Sequence, residues 1–530
     1  MADWAMTETS NVADHGAAER PAANIPVVAC PSRLVETTPP EILAHIFKFL
    51  ADASPSDLFP SMFPRCWIGV TYVSRRWRRI ALAYPLLWAR ICFTLGDAWT
   101  REMLVRAQAT PLTIMADSTS AFLSLQQVNL LREHLWHTRK FLLRVRDHMA
   151  ASLFLSQDVS APLLEILVIT RHWGLEVDQP FTFTYDAPRL RSLSLSGIDS
   201  FSWNPSILRG LVDLTLDFDT DQEGGPGTCE SILSALDSMK ALRNLFLGRA
   251  LPFASHTSHR QSDAKIISLS RLTSFTVTRG SSAQCLHVLD HLLVPPTSTI
   301  SIQMTHSRDS TVDGFTPVIP ALTGYLSRAP PPTSILIHSY IHLLSLFACR
   351  RTKASTDTVH DGPFLRATCH EPAFNEPAGA LTVFHLTHVL WSRYIFWDTL
   401  EQLEVDFRRR APWTEVAWFG VLRGARRLRE LVAHCEAGMA LLEFFAAEGA
   451  NADMCVPALA RLRVQDAQMW PREGEDSAEP LWVQEWLPLW VRERARAGPA
   501  LQSVSLVGCT GQDGEPLVFD YAAERADLPL

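Results

Sequence analysis

The sequence predicts a small all-helical unit near the amino end, followed by an α/β solenoid in which a strand and a helix recur. Three observations lead there. Between residues 37 and 91, apolar residues recur at helical spacing among proline and cap signals. From about residue 160, a strand-like phrase returns: apolar, two variable, apolar, one variable, apolar. The stretches between its copies carry helical periodicity, so each copy reads as half of a strand-and-helix repeat.

The helical unit begins at Thr37-Thr38-Pro39-Pro40-Glu41-Ile42-Leu43-Ala44-His45-Ile46-Phe47-Lys48-Phe49-Leu50. Thr38 is placed to cap the helix while Glu41 reaches back to its amide. Pro39 and Pro40 fall in the first turn, where a missing N–H is tolerated. Ile42, Leu43, Ile46, Phe47 and Leu50 then form one apolar stripe. A loop is expected from Ala51 to Pro64. A second helix follows, with Val70, Val73, Trp77 and Ile80 on one face and Arg75, Arg76, Arg78 and Arg79 on the other. Pro85, in Tyr84-Pro85-Leu86-Leu87-Trp88-Ala89-Arg90-Ile91, is expected to end it.

The series Pro39-Pro40-Glu41-Ile42-Leu43, Ile46-Phe47, Val73-Ser74-Arg75-Arg76-Trp77-Arg78 and Pro85-Leu86-Leu87-Trp88 resembles the F-box of fungal F-box-like proteins, in which a Pro-Leu-Trp signature closes the motif. The resemblance runs from about Val35 to Ile91. Thr38 stands where the family usually has Leu, and Ser74 where it usually has Cys; the loop between the helices is longer than the minimal motif. The resemblance implies binding to a Skp-type adaptor that is itself held on a cullin–RING ubiquitin ligase. The positions matching its adaptor-facing motif are Pro39, Pro40, Ile42, Leu43, Ile46, Phe47, Val73 and Trp77. A unit of about 50 residues buries too little surface to be comfortable alone. Its apolar stripe therefore needs a second surface, either a foreign helical partner or the rest of its own chain.

The phrase recurs as Leu164/Leu167/Ile169, Leu190/Leu193/Leu195, Leu211/Leu214/Leu216, Leu242/Leu245/Leu247 and Leu272/Phe275/Val277. It returns as Leu400/Leu403/Val405, Leu459/Leu462/Val464 and Leu501/Val504/Leu506, with weaker copies at Leu428/Leu431, Ile300/Ile302 and Ile335/Ile337. The early copies start 21 to 31 residues apart, at or just above the roughly 20–29 residues of a leucine-rich repeat. Between them, Ile232, Leu233, Leu236 and Met239 share a helical face, as do Leu286, Leu289, Leu292 and Leu293, and later Trp482, Val483, Trp486 and Trp490. A divergent leucine-rich-repeat horseshoe without an Asn/Cys ladder is the expectation, with unrelated α/β packing as the alternative. The expected organisation is a disordered tail over 1–33, the helical motif over 34–92, a helical linker or cap over 93–159, and the array over 160–530. A loop insertion is expected at 351–380, and polar interruptions at Thr305–Thr316 and Pro471–Pro480.

Composition narrows the function. A formal net charge of -8 and a pI near 6.1 give no reason to expect nucleic acid as the main partner. No signal peptide and no apolar run long enough to span a bilayer is read, so a cytoplasmic or nuclear protein without membrane association is expected. The ten cysteines form no Cys-x-x-Cys pair and read as reduced, buried thiols. Lysine occurs only at 48, 140, 240, 265 and 353. A GC-rich genome would favour arginine in this way; few acceptor lysines would also limit self-ubiquitylation.

No nucleophile elbow, phosphate loop, dinucleotide fingerprint or zinc helix is found, so no catalytic residue, metal or cofactor is expected. His338 with His342, and His385 with His388, lack further ligands and read as core or loop histidines; Cys369-His370 falls in the expected loop. Arg408-Arg409-Arg410 and the group Arg423, Arg426, Arg427 and Arg429 read as solvated faces or as arginine forks for an acidic target. The resulting expectation is a non-enzymatic substrate-recognition subunit that joins a Skp-type adaptor to an unknown protein substrate. A scaffold without a ligase role would instead have Ile42, Ile46 and Phe47 covered by the chain itself. An enzyme would show a deep polar pocket with converging acids and bases.

Overall fold

The computed structural model describes residues 37–53, 67–93, 96–117, 125–145, 160–171, 186–198, 208–218, 229–249, 251, 266–305, 318–329, 331–340, 343–349, 365–370, 399–407, 418–419, 422–448, 455–467, 482–497, 501–511 and 516–521. The expected tail over 1–33, residues 54–64 of the loop expected over 51–64, 306–316 of the polar interruption, and 471–480 lie outside them.

Among its described residues the amino-terminal unit has four helices: α1 (Pro40–Ala53), α2 (Val70–Val73), α3 (Arg75–Leu82) and α4 (Pro85–Trp88). The first helical hydrogen bond, Leu43 N–H to the Pro39 carbonyl at 3.2 Å, makes Pro39 the cap and Pro40 the first helical residue. Thr38, expected to be the cap, instead offers its carbonyl to the Arg76 guanidinium. α1 also runs three residues past its expected end at Leu50.

The single second helix expected across Val70 to Ile80 is two. Ser74 takes an extended backbone (φ -156°, ψ 163°), and its hydroxyl accepts the Trp77 N–H at 3.1 Å, capping α3 afresh. Spacing alone does not reveal the break, because Val73 and Trp77 remain four apart on either side of it. Pro85, expected to end that helix, instead starts α4 at the position where proline is best tolerated.

Behind this unit, in chain order, come β1 (Arg90–Cys92), α5 (Asp97–Ala107), β2 (Leu112–Asp117), α6 (Leu125–Glu133), β3 (Thr138–Val145), β4 (Ile166–Arg171), β5 (Ser192–Ile198) and β6 (Asp213–Phe218). They are followed by α7 (Cys229–Ser238), β7 (Asn244–Gly248), β8 (Ile267–Ser268), β9 (Ser274–Gly280), α8 (Ser282–His291), β10 (Leu292–Leu293), β11 (Thr299–Thr305) and α9 (Ile319–Arg328). Then come β12 (Ser334–Tyr340), β13 (Leu343–Cys349), β14 (Leu365–His370), β15 (Gln402–Phe407), β16 (Glu430–His434), α10 (Cys435–Glu448), β17 (Arg461–Gln465), α11 (Trp482–Ala497), β18 (Ser503–Thr510) and β19 (Pro516–Asp520).

One mostly parallel sheet runs through the described residues. Each strand from β1 to β7 pairs with the next in sequence, β7 pairs with β9 and β9 with β11, all parallel. β15 to β18 continue in the same way. Between these runs, β14 lies parallel to β11 and β12 parallel to β15, while β13 is antiparallel to both of its neighbours. β19 closes the far edge antiparallel to β18.

The recurring phrase is the register of this sheet. Leu167, Leu193, Leu214, Leu245, Phe275 and Ile300 sit side by side on successive strands, as do Ile169, Leu195, Leu216, Leu247, Val277 and Ile302. All of them are buried. With side chains alternating across a strand, the intervening Ser, Thr and Asp residues stand on the opposite face. Each fully buried Leu or Ile contributes about 1.5–3 kcal/mol, so these columns are the main cohesive element. Helices cover the apolar face: α7 buries Ile232, Ala235, Leu236 and Met239, and α10 buries Ala437, Leu441, Phe444 and Phe445.

Three expectations are corrected. Residues 93–159 are not a helical linker, since β2 and β3 already belong to the sheet, with Ile91, Ile114 and Phe141 in register. The stretch 351–380 is not wholly a loop: Leu365–His370, including Cys369-His370, forms β14 between β11 and β13. The helical face expected over Leu286 to Leu293 is also changed: in α8 Cys285 and Val288 are buried, and Leu292 and Leu293 belong to β10, the first buried and the second exposed.

Candidate protein-docking site

The amino-terminal helices sort their apolar residues into two sets. At about 100° per residue along a helix, Leu43 and Phe47 of α1 point one way, and Ile42, Ile46 and Phe49 another. The first pair is buried, Leu43 at 3% and Phe47 at 1% exposure. Phe47 packs on Trp77 with ring centroids 4.9 Å apart. Beneath them, Trp67 meets Trp88 edge-on at 5.0 Å, and the Trp88 indole N–H donates to the Ala81 carbonyl at 2.8 Å. The Pro-Leu-Leu-Trp turn is therefore a core plug, with Leu87 and Trp88 both buried. Arg90 donates to the Ala51 carbonyl at 3.3 Å, tying the end of α1 to β1 and the start of the sheet.

The second set faces outward. Ile46 is 52% exposed and Phe49 77%, with Ile42 and Leu50 exposed along the same helix; Val73, 61% exposed, and Tyr72 are exposed on α2. Large apolar side chains in such a cluster are unusual on a surface that meets only water. Arg75, Arg78 and Arg79 are exposed on α3 just beyond Tyr72 and Val73.

Of the residues matched to the adaptor-facing motif, Pro39, Pro40, Ile42, Ile46 and Val73 lie on the exposed surface, and Trp77 is half-buried. Leu43 and Phe47 do not reach it. They are corrected to core residues that hold the exposed face in place, because α1 must bury one flank against α3 to be held at all. Phe49 joins this surface because α1 carries two apolar sets rather than the single expected stripe, and Tyr72, on α2, lies outside the motif positions. The signal was available: Ile42, Leu43, Ile46, Phe47, Phe49 and Leu50 cover too wide an arc for one helix contact.

The remaining candidates separate. His338 lies in β12, opposite Ser345 of β13, whereas His342, His385, His388 and Arg408–Arg410 fall outside the described residues. Among the described residues no group of three His, Cys, Asp or Glu side chains could hold a metal. Cys285, Cys455 and Cys509 are buried free thiols, and burial pushes Cys285 up to about 12, so its thiolate is not accessible near neutrality. Arg423, Arg426, Arg427 and Arg429 are exposed in the turns ahead of β16.

On the polar face of the sheet, His434 Nε2 lies 3.1 Å from Glu404 Oε1. The hydrogen bond to Glu404, with Asp406 and Asp466 nearby, outweighs burial and raises the His434 pKa. Elsewhere, His134 and His137 share a hydrogen bond of 2.9 Å, and burial lowers both of their pKa values.

A family model for F-box-like domains matches residues 38–94. The chain thus carries an F-box-like domain that coincides with the four helices and their outward apolar face. No curated protein matches the chain. Among the described residues no helix is long and apolar enough to cross a membrane.

Proposed function

We propose that this chain is the substrate-recognition subunit of a Skp–cullin–F-box ubiquitin ligase. The F-box-like helices dock a Skp-type adaptor, and the sheet region holds a protein target. The observation that carries the reading is the face of α1 formed by Ile42, Ile46 and Phe49, left exposed inside the matched domain, in which Tyr72 and Val73 of α2 are exposed as well. A helical partner laying its own apolar face there would bury this surface. Leu43, Phe47 and Trp77 serve the reading from below by fixing the angle of α1 against α3.

The contribution to catalysis is proximity. Holding a target lysine near a charged ubiquitin-conjugating enzyme raises their effective concentration, and no residue of this chain makes or breaks a bond. The remainder is read as a leucine-rich-repeat-like array, supported by the recurring phrase and by the two parallel runs, β1 to β7 on to β9 and β11, and β15 to β18. Its polar strand face and strand edges form the surface offered to a target.

The test is capture of a purified Skp-type adaptor by the full chain. The wild type retains it at micromolar concentration, and Ile46→Lys loses it while its thermal melting stays unchanged. If the wild type fails to retain adaptor, or Ile46→Lys retains it fully, the ligase reading fails and an interaction scaffold takes its place.

A further inference from the structure

We infer that the edge of the sheet at which β5, β6, β7 and β9 begin is a docking ridge for an acidic segment of a protein partner. The inference deepens the proposed function and rests on it for the role of that partner. Arg189 and Arg191 stand at the start of β5, Arg209 in the turn before β6, Arg243 at the start of β7 and Arg271 in the turn before β9; all are exposed. They span more than eighty residues of sequence, and parallel pairing brings them to one edge. With neighbouring strands about 4.8 Å apart, the ridge extends roughly 15 Å, the length of about five residues of extended peptide. In a chain of net charge -8, this is a local inversion of sign.

The molecule shows what fits such an edge. At the start of β3 and β4, Arg139 is met at 2.8 Å by the Glu165 carboxylate one strand over. At the start of β16 and β17, Arg461 is met at 3.3 Å by Glu430 in the same arrangement. Along β5 to β9 the five arginines have no ion-pair partner among the described residues. Nearby acids are engaged elsewhere: Glu165 by Arg139, Asp213 by the Asn244 amide at 2.5 Å, and Asp237 by Lys240 at 2.5 Å. Asp186, in the turn before β5, is left beside the ridge. A foreign strand carrying Asp or Glu would supply the carboxylates that the chain itself provides at β3/β4 and at β16/β17.

Protein is favoured over other polyanions. No exposed aromatic side chain for base stacking stands among the described residues between 186 and 275, and Ile266 is the one large exposed apolar residue there. A nucleic-acid strand would lack its stacking platform, and a lipid surface would lack an apolar flank to receive it.

The test uses the full chain and a fluorescent ten-residue peptide of alternating Glu and Ser, read by anisotropy. Saturable binding is expected that weakens as salt is raised. Arg191→Glu with Arg243→Glu should reduce affinity by at least about tenfold, which corresponds to 1.4 kcal/mol. Arg191→Gln with Arg243→Gln should give a smaller loss in the same direction, and Arg139→Gln, outside the free ridge, little change. Unchanged melting excludes misfolding as the cause. Equal binding by the charge-reversed variant overturns the proposal. So does preferential binding of a ten-nucleotide single strand, of phosphatidylserine vesicles, or of the phosphoserine peptide with none of the Glu peptide. Adaptor capture, measured in parallel, keeps the two readings apart: its loss with peptide binding intact removes the ligase role alone, and the reverse removes the ridge alone.

Discussion

The helical unit and the sheet treat apolar residues in opposite ways. Along Ser192–Ser196 of β5 and Asp213–Asp217 of β6 the alternation is strict, Leu inward and Ser, Thr or Asp outward, and the inward columns are buried. In α1 the apolar residues outnumber the core positions: Leu43 and Phe47 go in, and Ile42, Ile46 and Phe49 stay out. A strand shows two faces at a period of two, so patterning settles its orientation residue by residue. A short helix shows an arc, and an arc that is too wide can mean either deep burial or spare surface. The sheet thus spends its apolar residues on cohesion, while α1 divides them between cohesion and an outward face.

The sharpest way to break this comparison is a pair of neighbouring truncations. Phe47→Ala should destabilise by about 3–5 kcal/mol, since it empties a packed site against Trp77. Ile46→Ala, one residue earlier, should change stability by no more than about 0.5 kcal/mol while weakening adaptor capture. Urea unfolding followed by Trp fluorescence measures both. Equal losses would mean that α1 has one face and that the exposed cluster is an ordinary part of the core.

Much of the sheet was legible because its signal is redundant. Leu193, Leu214 and Leu245 each announce the same column, and a mistake at one copy is corrected by the next. The helical unit has no such repetition, so single residues decide it: Ser74 turns one helix into two, and Pro85 starts a turn that it was expected to end. The antiparallel β13 was illegible for another reason. The apolar stretch Ile335–Ala348 is interrupted by His338, Ser339 and His342, and only its Ile335/Ile337 start reads as a strand copy; nothing in the spacing announces an antiparallel partner at Leu343–Cys349. The arginine ridge was hidden because its members are far apart in sequence and meet only through pairing of β5 to β9.

A milder probe of the helical unit is its internal cap. Ser74→Ala removes the oxygen that accepts the Trp77 N–H and should lower stability by about 1 kcal/mol. Ser74→Asp should keep the cap and place a negative charge at the start of α3, which favours it. If Ser74→Ala has no effect, α2 and α3 are better regarded as one kinked helix, and the angle between them is not fixed by this residue.

The smallest expected effect lies on the polar face of the sheet. Glu404 raises the pKa of His434, so the protonated imidazole is favoured in the folded state. Such a group adds stability that is fully present below the unfolded histidine value of about 6.5 and is lost as pH rises through the raised folded value. Glu404 is partly exposed, so solvent screening should hold the contribution to less than about 1 kcal/mol. Glu404→Gln removes the dominant cause, and the His434 titration followed by NMR should fall, with burial then opposing what Asp406 and Asp466 still contribute. The stability difference between wild type and variant should then be largest on the acid side of the transition and vanish above it. A difference that instead grows with rising pH would show that His434 is neutral in its contact with Glu404, and that the strand face is held by packing rather than by charge.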